Sequence, residues 1–145
     1  MIDHHICRAK CKDTGEWIYG YYVKHNTVQT CFDYDNPRPK HYIVNDGTAC
    51  DWGFEPPLQV TEVDPDTVCR FIGLQDDNNK PIFENDVVRG KIYIGRGYSI
   101  HNRVIKYYLG CFKIKVGIEY KDIPYNCEVI GNIFDNPKLM EVNND

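Results

Sequence analysis

The sequence predicts a mainly β protein, and three observations carry that expectation. Aromatics make up 13% of the residues, with eleven Tyr and six Phe against two Met, and such rings suit a pleated, half-buried surface. Alanine, the best helix former, is nearly absent, which weakens any case for long helices. The apolar runs are short and separated by clusters of Asp, Asn, Gly and Pro that favour turns. At 145 residues the chain makes one domain, 1–145, large enough to bury a core and divisible into two small lobes near 1–60 and 61–145.

In chain order, Arg8 opens a strand reaching to Lys12, and Asp13–Thr14–Gly15 turns it. Glu16–Lys24 is a second strand, broken by Gly20, where a glycine marks a bulge or a close backbone approach. Residues 25–60 are less informative. Asp35–Pro39 and Glu55–Pro57 are proline-rich breaks, His41–Val44 is a short strand, and Asn45–Asp46–Gly47 is a turn signal. Asp64–Pro65 suits the first two positions of a type I turn, and Phe71–Leu74 is an apolar, strand-like piece. The polar knot Asp76–Asn79 reads as a hairpin turn before Pro81–Phe83. A second tight turn at Glu84–Asn85–Asp86 precedes a strand from Val87. Lys91–Ile94 continues it into a loop at Gly95–Arg96–Gly97.

Arg103–Val116 reads as a hairpin around Leu109–Gly110. On its second arm Phe112, Ile114 and Val116 alternate with Lys113 and Lys115, which predicts one buried and one wet face. On the first arm the apolar residues fall on both parities, so its inward face stays open. Val129–Ile133 is the closing strand, and Asn136–Pro137 starts a short helical turn with Leu139 and Met140 tucked in. Together these elements predict small, strongly bent sheets of barrel-like form, closed by Val129–Ile133, with short helical turns.

The central stretch, with Ile72–Gly73–Leu74, Asp76, Ile82–Phe83, Glu84–Asn85–Asp86 and Val87–Val88, resembles the signature of the YopX-like phage and prophage proteins. The resemblance extends to Glu128–Glu141 and, at the start, to Arg8, Ala9, Trp17, Tyr19 and Gly20. Lys10 and Cys11 depart from that opening pattern, standing where the family has an aromatic and an acid. Asn85 falls where the family usually has Gly, which implies a positive φ that Asn can also occupy. The resemblance implies an accessory gene product with a shared fold and no established activity.

The net charge of −4 hides an asymmetry. From Arg89 to Lys115 there is no acidic residue and the charge is +7, leaving −11 on the rest of the chain. Segregation of this kind speaks to partners and not to fold. The cysteines (7, 11, 31, 50, 69, 111 and 127) are odd in number and scattered, and the N-terminal stretch has no apolar signal segment. Both point to free thiols in a reducing compartment, a bacterial host cytosol. No run is long and apolar enough to suggest a membrane span.

Four groups could carry chemistry. The carboxylates Asp76, Asp77, Glu84 and Asp86 lack the ligand spacing of a calcium loop, and turn-holding hydrogen bonds explain Asp76 and Asp86. His4–His5–x–Cys7–x₃–Cys11 has zinc-ligand residue types without the second pair that a zinc site needs, so no metal or cofactor is expected. Cys111 lies among cations, but sequence supplies no base to activate it. The basic window interleaves Arg89, Lys91, Arg96, Arg103, Lys106, Lys113 and Lys115 with Tyr98 and other aromatics. Those cations could neutralise phosphates while rings stack on bases, or they could coat a solvated face or meet an acidic surface of another subunit. No phosphate loop, dinucleotide fingerprint, nucleophile elbow or HExxH is present.

The function expected is that of a non-enzymatic, homo-oligomeric binding or interaction protein of phage or prophage origin. Its partner would be a second copy, a host protein or a small anion, without membrane contact. The alternatives are nucleic-acid or nucleotide-like anion binding through residues 89–115, and a small hydrolase using the turn carboxylates.

Overall fold

A computed structural model of the chain describes residues 3–27, 38–47 and 56–144. It is mainly β, as expected. Among the described residues no helix is long and apolar enough to cross a membrane. The chain divides into two compact units, His5–Arg70 and Phe71–Asp145 together with the first four residues.

The first unit is an antiparallel sheet in the order β4-β3-β2-β1-β5. Its strands are β1 (Cys7–Lys10), β2 (Trp17–Thr27), β3 (Arg38–Asp46), β4 (Leu58–Glu62) and the start of β5 (Cys69–Gln75). Asp13–Gly15 turns the chain as expected, with Gly15 at φ 72° and its amide bonded to the Cys11 carbonyl. Several strands run longer than their local signals. β3 reaches from Arg38 to Asp46 because it is paired on both sides, to β2 and to β4. The turn expected at Asn45–Asp46–Gly47 is therefore partly strand, and Asn45 Nδ2 donates to the Tyr19 carbonyl at 2.8 Å. The breaks expected at residues 35–37 and at Glu55 lie outside the described residues. Pro39 is the second residue of β3, where that strand is paired to β2 and not yet to β4, an edge position that proline tolerates. Gly20 is a close approach: a Cβ there would strike β3 at the Val44 carbonyl and Asn45. Ala9, Ile43 and Val63 form the buried centre, with Cys7, Ile18 and Val68 against it. Asp64 Oδ1 accepts from the Asp66 amide at 3.0 Å and caps a 3₁₀ turn at Pro65–Thr67.

The second unit holds the rest of β5 with β6 (Pro81–Phe83), and a five-stranded antiparallel sheet in the order β10-β9-β8-β7-β11. These strands are β7 (Asp86–Ile94), β8 (Gly97–Tyr108), β9 (Cys111–Val116), β10 (Glu119–Lys121) and β11 (Cys127–Asn132). A terminal 3₁₀ helix spans Pro137–Asn144. The expected closure by the last strand does not occur. β11 pairs with β7, and β10 at the other end offers three residues and pairs with β9, so the sheet stays open. Gly97, expected in the loop, and Tyr98–Asn102, which the sequence leaves unassigned, are strand because they pair residue for residue with β7.

One face of this sheet buries Val88, Ile92, Ile105, Ile114, Cys127 and Val129 with Ile82. Phe112 and Val116 pack against that core, as their alternation with lysines requires. The ambiguity of β8 has a physical cause, since Val104 and Ile105 are both buried, on opposite faces. Val104, Val87 and Gly131 form one cross-strand row, and a Cβ on Gly131 would meet Leu139 Cδ1 at 2.7 Å. The terminal 3₁₀ helix therefore covers that row, held also by Asn102 Nδ2 on the Leu139 carbonyl at 2.9 Å.

Candidate functional site

The signature carboxylates are engaged in folding. Asp76 Oδ1 accepts from the amides of Asn78 and Lys80, both at 2.9 Å, and Oδ2 accepts from the Val129 amide at 2.9 Å. Burial raises its pKa, but these three backbone donors outweigh that and hold it below the usual carboxylate range. Asp77 N donates to the Cys127 carbonyl, so the Asp76–Asn79 turn stitches itself to the outer edge of β11. Asp86 Oδ2 accepts from the Phe83 amide at 2.8 Å. Asn85 sits at φ 68°, as expected of a position where the family prefers glycine. Its Oδ1 accepts from Lys106 Nζ at 2.7 Å.

Beside this turn lies a cavity of about 370 Å³ lined by Leu74, Asp76, Ile82, Tyr125 and Cys127 among others. Its thiol is a poor nucleophile, because burial and then the Asp77 and Asp76 charges push Cys127 up to about 11. Cys111 is exposed, with its Sγ on the Tyr108 carbonyl at 3.5 Å. Among the described residues no three His, Cys, Asp or Glu side chains gather as metal ligands. His4 instead stacks on Phe71 at 6.0 Å.

The basic window separates into three groups. Arg103 leaves the outer surface: it shares a face with Ile105, its Nη1 donates to the Asn102 carbonyl at 3.1 Å, and burial lowers its pKa. Lys106, Lys113 and Lys115 lie on the opposite face, at the β8–β9 end. Lys106 holds Asn85, and Lys113 is bonded to Asp122 at 3.1 Å, which raises the lysine pKa. Lys115 is exposed. Tyr108 stacks on Tyr120 in the same region at 3.9 Å.

The third group is at the other end, on β7 and β8. Pairing of β11 to β7 stops at Gly90, and pairing of β9 to β8 stops at Ile105. Lys91–Ile94 and Gly97–Ile100 therefore continue as a two-stranded ribbon with no third strand among the described residues. Its two-residue loop, Gly95–Arg96, has Gly95 at φ 62°, which matches a type II′ hairpin turn. Cross-strand partners share a face, so Lys91, Tyr93, Tyr98 and Ile100 stand together, with Arg89 next along. Tyr93 is 76% exposed, Tyr98 56% and Ile100 46%. The two tyrosine rings meet edge to face at 6.3 Å, and Lys91 Nζ lies 4.8 Å from the Tyr98 ring centre. Sequence reasoning named Arg89, Lys91, Arg96 and Tyr98 together. It could not see that Lys106, Lys113 and Lys115 lie at the other end, where β8 pairs with β9.

What the fold and this surface define is a mainly β protein of two open sheet units with a basic, tyrosine-bearing ribbon. The chain belongs to the YopX family, whose model, described as YopX protein, matches residues 7–141. It is also similar to protein EF1440 from Enterococcus faecalis, a crystal structure 20% identical in sequence, with a TM-score of 0.50 over 92% of this chain and 96% of that one. That likeness speaks to the fold alone. No curated protein matches the chain.

Proposed function

We propose that this protein is a non-enzymatic binding protein, a phage- or prophage-derived accessory product working in the bacterial host cytosol. Its contact surface is the outer face of the β7–β8 ribbon, and its partner is anionic. The observation that carries this reading is the ribbon itself: two exposed tyrosines and an isoleucine beside Lys91, Arg89 and the turn residue Arg96. Exposed rings on an unflanked hairpin gain little for folding, and their exposure leaves them available to a partner. The absence of any acid between Arg89 and Lys115 sets the sign of that partner. The engagement of Asp76 and Asp86 with backbone amides favours this over hydrolysis by the turn carboxylates.

Retention on immobilised heparin tests it. The native chain, despite its net charge of −4, is expected to bind, and Lys91→Glu with Arg96→Glu to elute at clearly lower salt. Lys12→Glu with Lys24→Glu, the same charge change in the first unit, is expected to behave as native. Equal loss in both variants, or no retention at all, would overturn the reading.

A second reading, self-association, is favoured by a different surface. Leu58 and Val60 on β4 are 71% and 59% exposed, on the same sheet face as Val44 and Tyr21. An apolar strand at the end of a strand order is a template for pairing with another chain.

A further inference from the structure

We infer that the anionic partner of the ribbon is a single-stranded nucleic acid, with bases stacked on Tyr93 and Tyr98 and phosphates met by Arg89, Lys91 and Arg96. This rests on the anionic-partner reading above and names its ligand. The argument starts from the pairing of ring and charge. Tyr93 and Tyr98 are cross-strand partners with their rings edge to face, so both cannot be covered by one flat group. They offer two surfaces in different orientations, which suits successive unstacked bases. Same-face residues two apart on a strand stand about 7 Å apart, so Arg89, Lys91 and Tyr93 form a track running toward Arg96 at the tip.

Other occupants fit less well. A second ribbon would set Lys91 and Arg96 against their own copies, and like charges facing each other repel. A two-stranded ribbon can enter the major groove of a duplex, but stacked base pairs give the exposed rings no faces to meet. An acidic peptide would satisfy the cations and leave the tyrosines without a partner. Lys91 lies over one face of the Tyr98 ring, at 4.8 Å, so a base that stacks there displaces the ammonium, which is then placed to meet that nucleotide's phosphate.

The test is fluorescence anisotropy with labelled single-stranded oligo-dT and oligo-rU, a mixed-sequence DNA duplex of the same length, and heparin as competitor. The native chain is expected to bind a single strand more tightly than the duplex, and the dT and rU arms show whether DNA or RNA is preferred. Tyr93→Ala and Tyr98→Ala are each expected to weaken binding about tenfold, and Tyr93→Phe to preserve it. Arg96→Glu is expected to weaken every polyanion. If charge reversal abolishes binding while both alanine variants bind as native, the surface is anionic-selective without base stacking, and the inference falls while the broader reading stands. Tighter binding of duplex than of single strand overturns it in favour of groove entry. Heparin retention without binding of any oligonucleotide overturns it also. Loss of heparin retention and oligonucleotide binding together removes the broader reading as well.

Discussion

Asp76 spends both carboxylate oxygens on backbone amides, one of them the amide of Val129 on a strand distant in sequence. The hairpin-turn role was legible from the run Asp76, Asp77, Asn78 and Asn79. The bond to β11 was not, because it depends on where a strand far along the chain is laid. Replacing Asp76 by Ala would strand three donors, one of them buried, and is expected to cost about 3 kcal/mol, read as a lowered denaturation midpoint. The pH dependence has a definite sign. The folded pKa lies below the ordinary value, so the carboxylate stabilises the fold above about pH 4 and that contribution is lost as pH falls through the folded value. Chemical denaturation of the native chain between pH 5 and 2.5 is expected to show this loss, and Asp76→Asn to show a flatter profile. Equal profiles would remove the role. The left-handed backbone of Asn85, at φ 68°, was legible from its place in the motif, whereas its bond to Lys106 was not.

At the scale of elements, the packing of the terminal 3₁₀ helix on the β11 side of the sheet depends on one missing side chain. Gly131 lies in the same cross-strand row as Val87 and Val104, and its bare backbone lets Asn136 and Leu139 sit directly on the sheet. Gly131→Val is expected to push the helix off that row and cost about 2–3 kcal/mol. It should also expose Val87 and Val104, which increased dye binding by partly unfolded protein would report. The sequence marked the strand, the helical turn and the tucked Leu139, but not the face they cover. The cause lies in β8, where Val104 and Ile105 are both buried. A strand covered on both sides has no alternation from which an inward face can be read.

For the whole molecule, charge and exposed apolar surface point to different contacts. The ribbon carries cations and rings, whereas β4 carries Leu58 and Val60 without nearby cations on its own strand. Native mass spectrometry and light scattering are expected to show an oligomer that Leu58→Asp with Val60→Asp converts to monomer, while Lys91→Glu with Arg96→Glu leaves it intact. A native monomer, or an oligomer indifferent to the β4 changes, would remove self-association through that strand. The strand content, most turns and the charge segregation were all legible, because each rests on residues close in sequence.

Local chemistry determined where most of the turns fall, that Asn85 takes a left-handed backbone, and that seven of the cations fall in one acid-free stretch. Tertiary structure decided how those cations are used. Cross-strand register sends Arg103 to the opposite face, ties Lys106 to Asn85 and Lys113 to Asp122, and leaves Arg89, Lys91 and Arg96 with two tyrosines on the ribbon. A strand's side-chain direction follows from its pairing partner, and that partner is set by the fold as a whole.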